Sequence, residues 1–140
     1  MLRHKNHLLK EDSSSLLIES MNEMIVTCGA QLACYRSALF EKLASSMSSY
    51  YSEITEGRES LTACYVPSWE DHDPSVSRSY SFGRDEARAS LSCALQKRLP
   101  DERARRRALV GPHADKIEFF INGSNAGVFG SQGQQRSVVL

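Results

Sequence analysis

Lys116-Ile117-Glu118-Phe119-Phe120-Ile121-Asn122-Gly123 is the stretch that decides the fold class, because it adds a strand and a tight turn to a largely helical sequence. Ile117, Phe119 and Ile121 fall at every second position, which is the period of a β-strand. The Asn-Gly pair that follows is the strongest short-range signal for a β-hairpin. We therefore predict a strand over 116–121 and a return strand over 126–129.

Upstream of this hairpin, the chain is predicted to be helical from Leu2 to about Ile54. A short helix over Leu2 to Lys10 precedes the serines at 13–15, which suit a helix N-cap. Apolar residues then recur at spacings of three or four, which is one stripe on a helix: Leu17, Met21, Met24, Cys28, Leu32, Tyr35, Leu39, Leu43, Met47, Tyr50 and Ile54. The stripe is not a clean heptad, which favours a helical hairpin or lobe over a free coiled coil.

The middle of the chain predicts a strand over Ser60 to Val66, a long loop to Gly83 and an amphipathic helix from Arg84 to Arg98. Pro100 is expected to break that helix and to start another helical turn through Arg107. The order of helices and strands predicts a mixed α/β fold. Residues 1–107 are mainly helical with a short strand and loop, and residues 108–140 hold the hairpin and the start of a further helix.

Composition limits the functional classes. The chain has 17 basic and 17 acidic residues, so its formal net charge is zero and an argument for nucleic acid must be local. No signal peptide or membrane-spanning run is seen, which predicts a cytoplasmic protein without a membrane partner. The four cysteines form no C-x-x-C pair, which favours free thiols over disulfides, and His4 and His7 lack a third metal ligand.

A local basic cluster lies between Lys97 and Arg107. It holds six basic and two acidic residues, a local net charge of 6 − 2 = +4. Such a cluster can neutralise DNA phosphates, or it can be an ordinary solvated helix face. The candidate DNA-binding residues are Arg103, Arg105, Arg106 and Arg107.

The turn after Phe129 begins the last predicted helix. Ser131 suits the N-cap, and Gln134 three residues later completes a capping box. A helix N-terminus also presents free N–H groups and a positive dipole end to a phosphate, and Gly133 leaves room for its approach. The residues alone leave both interpretations open, a capped helix start and a phosphate contact.

Two strings carry a resemblance to the RecF family. Gly111-Pro112-His113-Ala114-Asp115-Lys116-Ile117-Glu118-Phe119-Phe120-Ile121-Asn122-Gly123 is similar to the family's GPHRDDLEFLING, and Phe129-Gly130-Ser131-Gln132-Gly133-Gln134-Gln135-Arg136 to its FGSQGQQRT. Looser similarity extends along the rest of the chain. Ala114 stands where the family usually has Arg, and Lys116 where it often has Asp.

The resemblance implies a partial ABC/SMC-type ATPase head with an inserted α-helical arm lobe. The arm lobe would be mainly residues 1–107, and the head part residues 108–140. Two such heads dimerise with ATP between them, and the signature segment of one contacts ATP held by the other. In this chain that segment is Ser131, Gln132, Gly133, Gln134, Gln135 and Arg136. Apart from the resemblance, His113 and Asp115 are candidates for a site in the head part, and a structural role for His113 in its turn is the alternative.

The resemblance also implies partners and a process. RecF-like proteins bind DNA at single-strand gaps, act with RecO- and RecR-type proteins, and help load recombinase in DNA repair, replication and the SOS response. A P-loop requires Gly-x-x-x-x-Gly-Lys-Ser/Thr, and none of the eight glycines precedes a lysine. Nor does an apolar strand end in an acidic pair that could handle Mg²⁺.

We therefore expect an internal segment of a longer protein that hydrolyses no ATP alone and has no catalytic residue or metal site of its own. Two alternatives are a non-catalytic protein-interaction module and a decayed gene product.

Overall fold

The computed structural model describes residues 1–129 of the chain. Four helices are α1 (Leu2–Lys10), α2 (Ser15–Ile54), α3 (Arg84–Arg105) and α4 (Ala126–Phe129). Three strands are β1 (Leu61–Val66), β2 (Lys116–Ile121) and β3 (Ser124–Asn125), and a short 3-10 turn covers Pro112–Ala114. The predicted helix at Leu2–Lys10 and the predicted strand before Pro67 are both confirmed.

Two compact units share these elements, and each takes three separate segments of the chain. The first unit consists of Met1–Tyr35, Pro67–Trp69 and Phe82–Asp115. The second consists of Arg36–Val66, Glu70–Ser81 and, among the described residues, 116–129. Both units therefore draw on residues before and after Ala108, and the assignment of 1–107 to an arm lobe stays a prediction.

The core of the first unit joins α2 and α3. Ile25, Leu91, Leu95 and Val110 form its buried centre, with Leu2, Val26, Trp69 and Ala94 packed around them. Gly29 allows the close approach, because a Cβ there would lie 3.1 Å from Leu91 Cδ2 and 3.3 Å from the ring of Pro112. A glycine inside a helix costs about 1 kcal/mol relative to alanine, and the packing of Leu91 and Pro112 offsets that cost.

The apolar stripe on α2 lies on the exposed side of the helix. Nine of its eleven residues are exposed, and only Met21 and Met47 are partly buried. The buried side of α2 in the first unit is instead made by Ile18, Ile25, Ala30 and Ala33. Two of these four residues are alanines, so the hydrophobic pattern of the buried side is weaker in the sequence than that of the exposed stripe.

Helix α3 continues through Pro100, so the predicted break at this residue is wrong. A proline in a helix removes one backbone hydrogen bond and crowds the preceding turn. Contacts on both sides hold the helix together here: Leu91 and Leu95 are buried before Pro100, and Glu102 is fully buried after it. The helix ends at Arg105, and Arg106 closes it in the left-handed conformation with φ 54°.

The second unit contains a three-stranded antiparallel sheet in the order β1-β2-β3. Leu61 pairs with Ile121 and Val66 with Lys116. The predicted hairpin is confirmed: Asn122 and Gly123 have φ values of 50° and 85°, as a tight two-residue turn requires. The predicted return strand at Ala126–Phe129 is wrong, since β3 ends at Asn125 and α4 follows.

Asn125 explains why the return strand is so short. Its side-chain amide donates to the carbonyl of Pro74 at 2.7 Å and to Glu118 Oε2 at 2.8 Å. Its Oδ1 accepts the backbone N–H of Gly127 at 2.8 Å, which is the hydrogen bond of a helix N-cap. The same residue therefore ends the strand and begins the helical turn.

Tyr51 lies in the core of the second unit, against Leu61, Ile121 and Ala126. The ring is 2% exposed, and its hydroxyl donates to Glu59 Oε2 at 2.6 Å. Burial, together with the hydrogen bond and the charge of Glu59, raises the pKa of Tyr51 to about 12. The phenol therefore stays protonated in the folded chain over a pH range in which it ionises in the unfolded chain.

This difference predicts a loss of stability at high pH. The contribution of Tyr51 is fully present below pH 10, its ordinary pKa, and is lost as the pH rises from there toward 12. In this range the free energy of unfolding of the wild type, measured with urea, should fall with pH more steeply than that of Tyr51→Phe. We expect the difference to be on the order of 1 kcal/mol per pH unit. The exposed Tyr35→Phe is the control and should behave as the wild type. Equal losses in Tyr51→Phe and wild type would contradict the assignment.

Candidate functional site

The predicted nucleotide-contact residues, from Ser131 to Arg136, lie outside the described residues. The described candidates are Arg103, Arg105, Arg106 and Arg107 at the end of α3, and His113 and Asp115 in the turn before β2. All six belong to the first unit. The segment from Glu102 to Asp115 therefore carries both described groups of candidates.

Glu102 holds this segment in place. Its Oε2 lies 2.7 Å from the ammonium of Lys5, and neither side chain is exposed to solvent. Its Oε1 accepts the backbone N–H of Leu109 at 2.9 Å and that of Val110 at 3.4 Å. Burial lowers the pKa of Lys5, and the hydrogen bond and charge of Glu102 oppose that effect. One carboxylate thus neutralises a buried cation and fixes the chain that leaves α3.

Two further contacts fix the same segment to the start of the chain. Asn6 on α1 accepts the backbone N–H of Ala108 through Oδ1 at 2.6 Å. Arg103 donates to Asp12 Oδ1 at 3.4 Å, to the carbonyl of Ser13 at 3.4 Å and to Ser15 Oγ at 3.0 Å. Arg103 is partly buried by these contacts. Of the four predicted DNA-binding residues, Arg103 therefore braces the connection between α1 and α2.

Arg105, Arg106 and Arg107 are exposed. Within the described residues, no carboxylate forms an ion pair with any of the three. Their backbone is held in place, since the N–H of Arg106 donates to the carbonyl of Arg103 and that of Arg107 to the carbonyl of Glu102. The result is a fixed turn that presents three consecutive guanidinium groups to solvent.

His113 and Asp115 are close in sequence but hold different parts of the first unit. The His113 ring contacts the carbonyl of Ala108 through Nε2 at 3.0 Å. A carbonyl can only accept, so Nε2 carries the hydrogen in this contact. Asp115 Oδ1 accepts the backbone N–H of Ser68 at 2.8 Å, and Ser68 Oγ accepts that of Gly111 at 3.0 Å. Gly111 has φ 143°, a conformation that favours glycine.

These contacts make the segment 111–115 a connector. His113 fixes the end of the arginine turn, and Asp115 fixes the loop after β1. Both side chains therefore have structural roles. Of the six described candidates, the three exposed residues Arg105, Arg106 and Arg107 are those suited to binding an anion.

Lys5 is the residue at this site that sequence reasoning missed. In the sequence it is one charge among several in α1, and Glu102 is an acidic residue within a basic cluster. Neither stands out by spacing, because their contact joins residues 97 positions apart. The sequence offers no signal for this pair.

Metal-binding and membrane-spanning features are not found in the described part of the chain. There, no group of three or more His, Cys, Asp or Glu side chains is placed to hold a metal ion. None of the helices in residues 1–129 is both long and apolar enough to cross a membrane.

Known proteins match this chain along its whole length, although no protein-family model matches it. The relatives are named DNA replication and repair protein RecF. The Synechococcus protein (strain JA-2-3B'a(2-13)) is 31% identical and the Geobacillus kaustophilus protein 34% identical, each over all of this chain and 37% of the relative. The Thermosynechococcus vestitus protein is 35% identical over 99% of this chain and 36% of the relative. The chain thus spans a little over a third of the relatives it matches.

Solved structures give the same result. The chain is similar to the recombination mediator protein RecF-ATPrS in the RecFOR pathway, with a TM-score of 0.79 and 30% identity over 98% of this chain and 36% of that one. It is also similar to RecF-ATP, with a TM-score of 0.79 and 29% identity over 98% of this chain. The mixed helix and sheet fold therefore matches part of those RecF structures.

The buried pair of Lys5 and Glu102 predicts that substitutions of its two members change the free energy of unfolding in a strongly non-additive way. Glu102→Gln keeps an acceptor for the two backbone N–H groups but leaves the Lys5 ammonium buried without a counter-charge, which costs about 3–5 kcal/mol. Adding Lys5→Met removes that charge, so the double variant should recover most of the lost stability. Urea unfolding followed by circular dichroism measures each free energy. Additive losses in the double variant would show that the two side chains are not coupled.

Proposed function

We propose that this chain, a RecF-family sequence over its whole length, takes part in ATP-dependent DNA binding during recombinational repair. The observation that carries the proposal is the match to RecF proteins over essentially the entire chain, at 31–35% identity in sequence and a TM-score of 0.79 in structure. The solved relatives are described with ATP or ATPrS and in the RecFOR pathway. Because the chain spans about 37% of its relatives, the activity of a whole RecF protein remains a proposal for it.

The turn of Arg105, Arg106 and Arg107 is the part that we assign to DNA. Three exposed guanidinium groups in sequence can contact phosphate oxygens without reading bases. The backbone of the turn is already hydrogen-bonded, so little ordering is needed when DNA binds. We leave Arg103 out of the DNA contact, because its guanidinium is held by Asp12, Ser13 and Ser15.

The segment from Ser131 to Arg136 is the part that we assign to the nucleotide. In this proposal, it contacts the γ-phosphate of ATP held by a second ATPase head, as the resemblance implies. The chain would then act in an ATP-dependent dimer, with RecO- and RecR-type partners, to help load recombinase at single-strand gaps. Mg²⁺ would come with the ATP on the head that carries the P-loop.

The DNA assignment predicts a change in salt dependence. We expect the variant Arg105→Ala/Arg106→Ala/Arg107→Ala to bind DNA more weakly and to lower the slope of log affinity against log salt by about 2–3, because each lost phosphate contact removes about 0.7–0.9 from that slope. Fluorescence anisotropy of a labelled gapped duplex, titrated between low and physiological salt, measures both quantities.

A matched variant separates this turn from a general effect of charge. Arg58→Ala/Arg84→Ala/Arg88→Ala removes three exposed arginines elsewhere and changes the net charge equally. It should leave the slope close to that of the wild type. If both triple variants lower the slope to the same extent, the turn is not the DNA contact.

The nucleotide assignment predicts that the purified chain hydrolyses no ATP, because its sequence holds no P-loop. It also predicts that the chain associates with an intact RecF relative, such as the Geobacillus kaustophilus protein, only when a slowly hydrolysed ATP analogue is present. Ser131→Ala/Gln134→Ala should abolish that association, whereas Ser90→Ala/Gln96→Ala on α3 should not. Turnover by the chain alone, or association that is independent of nucleotide, would refute the assignment.

A further inference from the structure

The arginine turn at 105–107 lies alongside helix α1 in the first unit. Three contacts join the residues on either side of the turn to α1 or to the residues just after it: Arg103 to Asp12, Ala108 to Asn6, and Gly111 to Leu2. The partners in the α1 region descend along the sequence while the other members ascend, so the segment runs antiparallel to α1. The turn therefore lies beside the part of α1 that follows Asn6.

Asn6 marks the boundary between the buried and the exposed side of α1. Within about 100° of it in one direction around the helix lie three residues that are partly or fully buried: Leu2, Lys5 and Leu9. Within about 100° in the other direction lie three exposed residues: Arg3, His7 and Lys10. Because Asn6 also accepts the backbone N–H of Ala108, this exposed basic side of α1 borders the chain that forms the arginine turn.

Arg3 and Lys10 are free to bind an anion. Within the described residues, neither forms an ion pair with a carboxylate. The two acidic residues that follow α1 are engaged elsewhere, since Glu11 lies 3.3 Å from His7 and Asp12 lies 3.4 Å from Arg103. Together with the three arginines of the turn, five exposed cations without an ion pair thus border one another in a chain whose formal net charge is zero.

We propose that Arg3 and Lys10 join the arginine turn in one phosphate-binding surface, and that DNA lies across both elements. This inference rests on the proposed contact between the turn and DNA, and it adds α1 to that contact. Arg3 and Lys10 are about 10 Å apart along the helix, which corresponds to about three phosphates of one strand at 3.4 Å each. None of the five residues is aromatic, so the surface holds the DNA backbone and does not stack on bases.

The double variant Arg3→Ala/Lys10→Ala tests whether α1 contacts DNA. We expect it to lower the slope of log affinity against log salt by about 1.4–1.8, because each lost phosphate contact removes about 0.7–0.9 from that slope. At about 0.1 M salt the affinity should fall by at least about tenfold. Fluorescence anisotropy of the labelled gapped duplex measures both quantities. Arg3→Lys/Lys10→Arg keeps both charges and should keep the wild-type slope.

Arg84→Ala/Lys97→Ala is the matched control, because it also removes one exposed arginine and one exposed lysine from the first unit. Arg84 begins α3 and lies about 27 Å along that helix from Glu102, the residue that contacts α1. Lys97 lies about 140° around α3 from Glu102. The control should leave the slope close to that of the wild type. Far-UV circular dichroism checks that all variants remain folded.

The triple variant of the arginine turn separates this inference from the proposed function. If that variant lowers the slope and Arg3→Ala/Lys10→Ala does not, the turn contacts DNA without α1 and this inference alone is overturned. If the triple variant keeps the wild-type slope, the proposed DNA contact fails and this inference fails with it. An equal decrease in Arg84→Ala/Lys97→Ala would also overturn the inference, since any exposed charge would then have the same effect.

Lysine acetylation of the unmodified chain gives a second measurement that needs no substitution. Lys10 and Lys97 are both exposed. A saturating amount of the gapped duplex should slow the acetylation of Lys10 by at least about fivefold, because its ammonium is then held by a phosphate, while Lys97 keeps its rate. Peptide mass spectrometry measures both rates. An unchanged rate at Lys10 in the presence of DNA would overturn the contact.

Discussion

The Glu102 carboxylate is the contact on which the first unit depends. It neutralises the only buried cation in the described residues and accepts two backbone N–H groups of the segment that follows α3. Removing two charges from water is costly, and the attraction between the two groups has to offset that cost. Glu102 adds two backbone hydrogen bonds to its ion pair with Lys5, and it thereby joins α1, the end of α3 and the segment at 109–110.

The position of the arginine turn, to which a function is proposed, depends on these contacts of Glu102. Because Glu102 fixes the chain just after α3, the left-handed residue Arg106 and its two arginine neighbours point into solvent from a turn whose backbone is held by hydrogen bonds. The next residues, Gly111 to Asp115, reach the loop after β1 through Ser68. The same stretch thus presents the proposed DNA contact and leads directly to β2, where the RecF-like strings of the sequence continue.

Local chemistry made part of this fold predictable. The Asn122-Gly123 turn and the strand before it follow from residues adjacent in sequence, and so do α1 and β1. The path of α3 through Pro100 could not be predicted, since it depends on the burial of Glu102 against Lys5, far away in the chain. The buried side of α2 could not be predicted either, because Gly29, Ala30 and Ala33 give a weak hydrophobic pattern beside the stronger exposed stripe. The cluster of arginines at the end of α3 was predicted from the sequence. Its division into a partly buried structural residue, Arg103, and three exposed arginines follows only from the contacts of Arg103 in the structure.

The segments of the two units alternate along the sequence, and this limits where the chain can be divided. Each unit takes three segments, and these alternate along the sequence. A single cut at any position inside 36–115 therefore separates segments that belong to one unit, and no simple truncation isolates either one. Such interleaving makes the units a poor target for domain shuffling, because a recombination joint in the middle of the chain would have to preserve two sets of long-range contacts together.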